Sequence, residues 1–248
     1  MQSSSIRRHS IYTAILSLLA FLLIQSCSDS NSDVVLKTIT NPGTISPVIA
    51  LARYIDSNNS RTEIVRAQLF DKNLDAVQIL GGSIMVNDSL LTETSTGYEF
   101  TVDSVAFIHS DSLYTITIVL SDSQAYNCTV RAPKSDLTTL YAPTYQSRSA
   151  SMPISWQEVD SIGPQRLDYY YYFQQNNQLY YGMTSYVIWA PETGVFSVSA
   201  ADLNVVPNIS TAKLVLHYSI DGTIDPAFRA GGSIGVDFAV EKIVSIID

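Results

Sequence analysis

"LYTITIVL", residues 113–120, sets Tyr114, Ile116, Ile118 and Leu120 in strict alternation with Thr115, Thr117 and Val119. Successive side chains of an extended strand point to opposite faces, so a period of two marks a strand with one buried and one wet face. An amphipathic helix would instead repeat its apolar residues every three or four positions. The same alternation returns in "YEFTVDS" (98–104), where Tyr98, Phe100 and Val102 alternate with Glu99, Thr101 and Asp103, and in "YNCTVR" (126–131). Further on, Leu214, Leu216, Tyr218 and Ile220 are interleaved with Lys213, Val215, His217 and Ser219, and Ile234, Val236, Phe238 and Val240 with Gly235, Asp237, Ala239 and Glu241. Clusters of Gly, Asn, Asp and Ser separate these runs, and no long amphipathic helix competes with them. The expected fold is all-β, built of sandwiches rather than of a parallel sheet with crossover helices.

"RAPKSD", residues 131–136, ends one alternating run with a proline that cannot continue a central ladder. A boundary near Lys134 divides the chain after its leader into residues 34–133 and 134–248, each close to the size of an immunoglobulin-like domain. "DSQAYNC" (122–128) resembles the immunoglobulin strand-F signature, with Asp122 six and Tyr126 two residues before Cys128, although no partner cysteine is present. "PISWQEVD" (153–160) resembles the opening of fibronectin type III domains, with Trp156 as the core tryptophan. These resemblances imply two tandem immunoglobulin-like β-sandwich domains, the second fibronectin type III-like.

The N-terminus has a different character. Arg7 and Arg8 precede a mostly apolar run from Ile11 to Ile24, then small polar residues. A spanning helix needs about 20 apolar residues, so the run reads as a cleaved secretory signal over residues 1–26. Ile24, Ser26 and Cys27 resemble the lipobox of bacterial lipoproteins, in which the cysteine is acylated; Gln25 stands where a small residue is usual. That resemblance implies lipidation at Cys27 and attachment to a membrane through the acyl chains, which anchor stably when two or more are present. Residues 27–33 then form a serine- and acid-rich tether, in which Asp29 and Asp33 resemble the surface-export signal of Bacteroidota lipoproteins. The expected location is the outer membrane, on its outer face.

The chain has 14 basic and 23 acidic residues, a net charge of −9. Removal of residues 1–26 takes away Arg7 and Arg8 and no acid, which brings the net to −11. Such a surface repels phosphates, and without clustered Lys and Arg no nucleic-acid partner is expected. With Cys27 committed to lipid, Cys128 is the one remaining thiol, so stability must come from burial rather than from a disulfide.

Motifs of catalysis are missing. The sequence has no paired histidines on a helix, no nucleophile elbow and no phosphate-cradling glycine loop; "LGGSIM" and "AGGSIG" lead into alternating runs and read as turns or bulges. No enzymatic activity, cofactor or metal is expected. His109 and His217 read as surface histidines, and the Asp56 to Asn59 run as an Asx-rich turn rather than a Ca²⁺ loop.

Aromatic residues carry the candidate site. "LDYYYYFQQNNQLYYG" (167–182) reads as a hairpin turning at Asn176 and Asn177, with Tyr169, Tyr171 and Phe173 on one face and Tyr170 and Tyr172 on the other. Only one face can enter a sandwich core. Tyr170 and Tyr172, joined across the hairpin by Tyr180 or Tyr181, are expected outside, where flat aromatics suit stacking on sugar rings or burial in a protein interface. A cross-strand ladder that only stabilises the sheet is the alternative use of the same residues. Asp-Ser-aliphatic triplets at Ser89, Ser104, Ser112 and Ser161 resemble the acceptor motif of Bacteroidota O-glycosylation. The order of signal, tether and two sandwiches resembles surface lipoproteins of sugar-capture and adhesion loci in Bacteroidota. It implies a non-enzymatic envelope protein that binds a partner protein or glycan, or alternatively a structural subunit of a surface or fimbria-like assembly.

Overall fold

The computed structural model describes residues 34–102, 107–157, 165–175, 178–189, 194–206 and 208–248. Cys27, Ser104, Ser161, Asn176 and Asn177 lie outside the described residues.

In chain order the first ten strands are β1 (Val35–Lys37), β2 (Ile45–Ile55), β3 (Arg61–Asp71), β4 (Ala76–Ile79), β5 (Ser83–Val86), β6 (Ser89–Leu90), β7 (Thr92–Thr94), β8 (Gly97–Val102), β9 (Leu113–Val119) and β10 (Ala125–Arg131). The second half adds β11 (Leu140–Tyr141), β12 (Tyr145–Ser147), β13 (Met152–Trp156), β14 (Gln165–Gln175), β15 (Gln178–Ile188), β16 (Val195–Val198), β17 (Ile209–Asp221) and β18 (Ser233–Ile247). Among the described residues a short α-helix, Ala200–Leu203, is N-capped by Ser199, whose hydroxyl accepts from Asp202 N. The fold is all-β, with sandwiched sheets.

The largest sheet runs β1-β4-β3-β2-β18-β17-β14-β15, with β8, β7 and β12 branching from it. A four-stranded sheet, β10-β9-β5-β6, and a three-stranded sheet, β11-β13-β16, supply the opposing layers. The large sheet crosses the line drawn near Lys134: β2 pairs in parallel with β18, Val48 opposite Ser233 through Ile55 opposite Val240. β18 is the seam, since its last three residues pair on with β12. Buried residues of all three sheets join one cluster, including Leu51, Val65, Ile116, Ile118, Trp156, Leu214 and Phe238.

Local chemistry sets the turns. Asp56 closes the β2–β3 hairpin as an Asx turn, its Oδ1 accepting from the backbone N–H groups of Asn58 and Ser60 at 2.8 Å each, with Asn59 at φ 63°. Asp71 repeats the device toward Asn73 and Asp75. In "AGGSIG", Gly232 sits at φ 143° with its Cα beside the Pro47 carbonyl, where an added Cβ would come within 2.6 Å of that oxygen, so the pair makes the entry turn to β18.

Among the described side chains the alternating runs bury or half-bury the residues their period assigns to the core, while Arg53 on the core face and His217 and Asp237 on the opposite phase depart from the pattern. Arg53 lies on the core face of β2 at 1% exposure, its guanidinium 3.5 Å from the Phe238 ring centroid and its Nη1 2.6 Å from Asp136 Oδ1. His217, expected at the surface, is buried at 9% exposure, with Val215 beside it at 5%. The correction has a physical cause: β17 lies between β14 and β18 in the middle of the sheet, so the non-core face of His217 is hemmed in by side chains from both neighbours. His109 is exposed.

Candidate binding face

β14 and β15 pair over their full length, Gln165 opposite Ile188 through Gln175 opposite Gln178. The register sorts the aromatics. Tyr169 is fully buried, and Tyr171 and Phe173 pack against the core beside it. Their rings follow one another at centroid distances of 5.5 Å and 6.3 Å. Tyr171 lies over Gly182, its cross-strand partner; a Cβ there would stand 2.3 Å from the ring, so the glycine makes room for the aromatic.

The opposite face carries Tyr170 opposite Met183 and Tyr172 opposite Tyr181. The Tyr172 and Tyr181 rings are 6.3 Å apart and tilted at 39°, and Tyr181 is 72% exposed. Lys213 Nζ sits 4.7 Å from the Tyr170 centroid, a cation–π contact that fixes the inner edge of the patch. Tyr180 is opposite Phe173 and stacks on it at 5.7 Å, so it belongs to the other face of the hairpin. Period-two reasoning could place Tyr170 and Tyr172 together, but only the hairpin register distinguishes Tyr181 from Tyr180 and adds Met183.

Next to this patch the same face holds a buried ion cluster that sequence patterning missed. His217 Nδ1 lies 2.8 Å from Asp237 Oδ2, and its Nε2 lies 3.3 Å from Asp168 Oδ2. Ser219 Oγ donates to Asp237 at 2.6 Å, Ser185 Oγ donates to Asp168 at 2.7 Å, and Arg166 Nε stands 3.2 Å from Asp168. Carboxylates only accept, so an imidazole facing one at each nitrogen is held as imidazolium. Burial alone would lower the His217 pKa, but the charge of Asp237 and the bonds to both carboxylates outweigh it and raise it. Burial would likewise raise Asp168 and Asp237, and their bonds to and charge attraction for His217 overcome it, holding both below the usual carboxylate range. Each serine hydroxyl is given to a carboxylate, which orients the acid toward the imidazole. Lys213, Glu241 and Tyr54 continue the polar row: Lys213 Nζ is 3.8 Å from Glu241, and Tyr54 donates its hydroxyl to the same carboxylate.

Among the described residues, no group of three or more His, Cys, Asp or Glu is arranged to hold a metal ion. Ser89 begins β6 just after the tight turn at Asn87 and Asp88, and Ser112 precedes β9; both are half-buried. Cys128 is buried in β10 as a free thiol.

No known protein family and no curated protein matches this chain. Among solved structures, the FN1–FN3 domains of chicken CNTN1 are similar at 9% identity, over 79% of this chain and 69% of that one, with a TM-score of 0.25. The fold assignment rests on the strands and pairings described above.

Proposed function

We propose that this is a lipid-anchored envelope protein, held at the outer face of an outer membrane through Cys27, that recognises a glycan or a partner protein on the β14–β15 face. The observation that supports it is the outward row of Tyr172, Tyr181, Met183 and Tyr170, in which Tyr181 and Met183 are exposed and Tyr170 and Tyr172 half-buried, although the core already has its own tyrosine row. Flat rings held by cross-strand register present contact area with little rotamer entropy to lose, which suits sugar stacking and interfaces alike. The neighbouring charged groups are paired with one another, so the rings would supply most of the contact. A broad glycan panel tests the reading, comparing the parent with a Tyr172→Ala/Tyr181→Ala variant of unchanged circular dichroism. Capture by the parent and loss by the variant supports recognition of glycans. Capture by neither rejects the glycan and leaves a protein partner, to be sought by cross-linking on intact cells.

A further inference from the structure

β15 ends the large sheet, and among the described residues β14 is its one strand partner. Its other edge offers a row of backbone N–H and C=O groups over eleven residues, QLYYGMTSYVI. Natural sheets guard such edges with Lys, Pro, short strands or bulges. The other end of the same sheet follows that practice: β1 is three residues long, and its Lys37 pairs with Asp71 at 2.7 Å. β15 has no charged residue and no proline, and it exposes Leu179, Tyr180, Tyr181, Met183 and Val187.

We propose that β15 is the seam of a two-fold symmetric homodimer, in which two copies pair their β15 strands antiparallel about Met183. Two features select a second copy over another protein. The chain carries a net charge of −9, so copies repel over most of their surface, and an edge without charge is where they can meet. The strand is also self-complementary. About Met183, Leu179 of one copy faces Val187 of the other, Tyr181 faces Ser185 and Met183 faces itself on the outer side; Tyr180 faces Tyr186 and Gly182 faces Thr184 on the inner side. Leu179 therefore meets Val187 twice, Met183 meets itself and Tyr180 meets Tyr186, while Tyr181 lies against the small uncharged Ser185, with no charge opposed anywhere along the isologous contact. Antiparallel pairing keeps the outer faces on one side, so the dimer would present two tyrosine patches side by side. The inference stands apart from what that patch binds.

The test is oxidative cross-linking of the full chain in mild detergent, with a single Met183→Cys substitution. In the proposed register the two Cα atoms lie about 4.5–5.5 Å apart, within disulfide reach. Val187→Cys places its two thiols eight strand positions apart, roughly 27 Å, and serves as the control. The parent, whose Cys128 is buried, gives the background. At least tenfold more reducible dimer from Met183→Cys than from Val187→Cys or the parent is expected. A Leu179→Lys/Val187→Lys variant, which sets lysine against lysine twice, should be monomeric by light scattering and unfold at the parent's temperature. Equal cross-linking at both positions, a monomeric parent at all concentrations, or an undisturbed dimer in the double-lysine variant would overturn the proposal.

Discussion

Replacing Asp237 by Asn changes one charge and almost no volume, so its effect isolates the electrostatics of the buried cluster. Asp237 is 5% exposed and accepts from His217 Nδ1 and Ser219 Oγ. Without its charge, His217 keeps Asp168 at 3.3 Å and remains near the Arg166 cation. Breaking a buried pair outright costs about 3–5 kcal/mol, and with Asp168 still facing His217 a cost at the lower end, about 3 kcal/mol, is expected. For a chain of this size, each kcal/mol moves the melting temperature by about 2–4 °C, so a fall of roughly 6–12 °C is expected. The pH profile gives an independent sign. His217 is raised on folding, so its contribution is complete below the unfolded value near ~6.5 and is lost as pH rises through the folded value. Asp168 and Asp237 are depressed, so theirs is complete above the unfolded value near ~3.9 and is lost as pH falls through the folded one. The parent should therefore be most stable between about pH 4 and 6.5, and the variant's decline on the alkaline side should be shallower. Urea unfolding from pH 3 to 9, with NMR titration of the histidines, reads both effects. An Asp237→Asn variant as stable as the parent at pH 6, or a parent His217 that loses its proton at or below the free imidazole value near ~6.5, would refute the reasoning.

The packing sets three other expected outcomes. Asp136→Asn removes the counter-charge of fully buried Arg53 and should destabilise by about 2–4 kcal/mol in urea unfolding, more than Arg53→Met, which removes the charge itself. Gly182→Ala forces the Tyr171 ring out of its place between Tyr169 and Phe173; a loss of about 1–3 kcal/mol and a weakened near-ultraviolet circular dichroism signal are expected. Cys128 is fully buried and its thiol is pushed up by burial, so it should resist alkylation at pH 8 in the native protein and react once unfolded.

The strands themselves were legible because a period of two is a local property. Tyr114, Ile116 and Ile118 announce a buried face wherever their strand ends up, and the sequence of the hairpin is enough to set Tyr169, Tyr171 and Phe173 on one face with Tyr170 and Tyr172 on the other. Asp56 could likewise be read as a turn, because its side chain bonds to residues two and four positions away.

Which strand lies beside which is another matter, since backbone hydrogen bonds are the same for every sequence and carry no address. Only the tertiary structure sets β2 against β18, nearly the whole chain apart, and so lays one sheet across both halves. The same pairing makes β17 an interior strand, which turns the nominally wet position of His217 into a buried one and brings Asp168 from β14 and Asp237 from β18 to its two nitrogens. It also leaves β15 at the rim. The sequence alone determined faces, through side-chain periodicity; the fold decided neighbours, because a residue's partners across a sheet depend on register and strand order, and those are fixed by the packing of the whole.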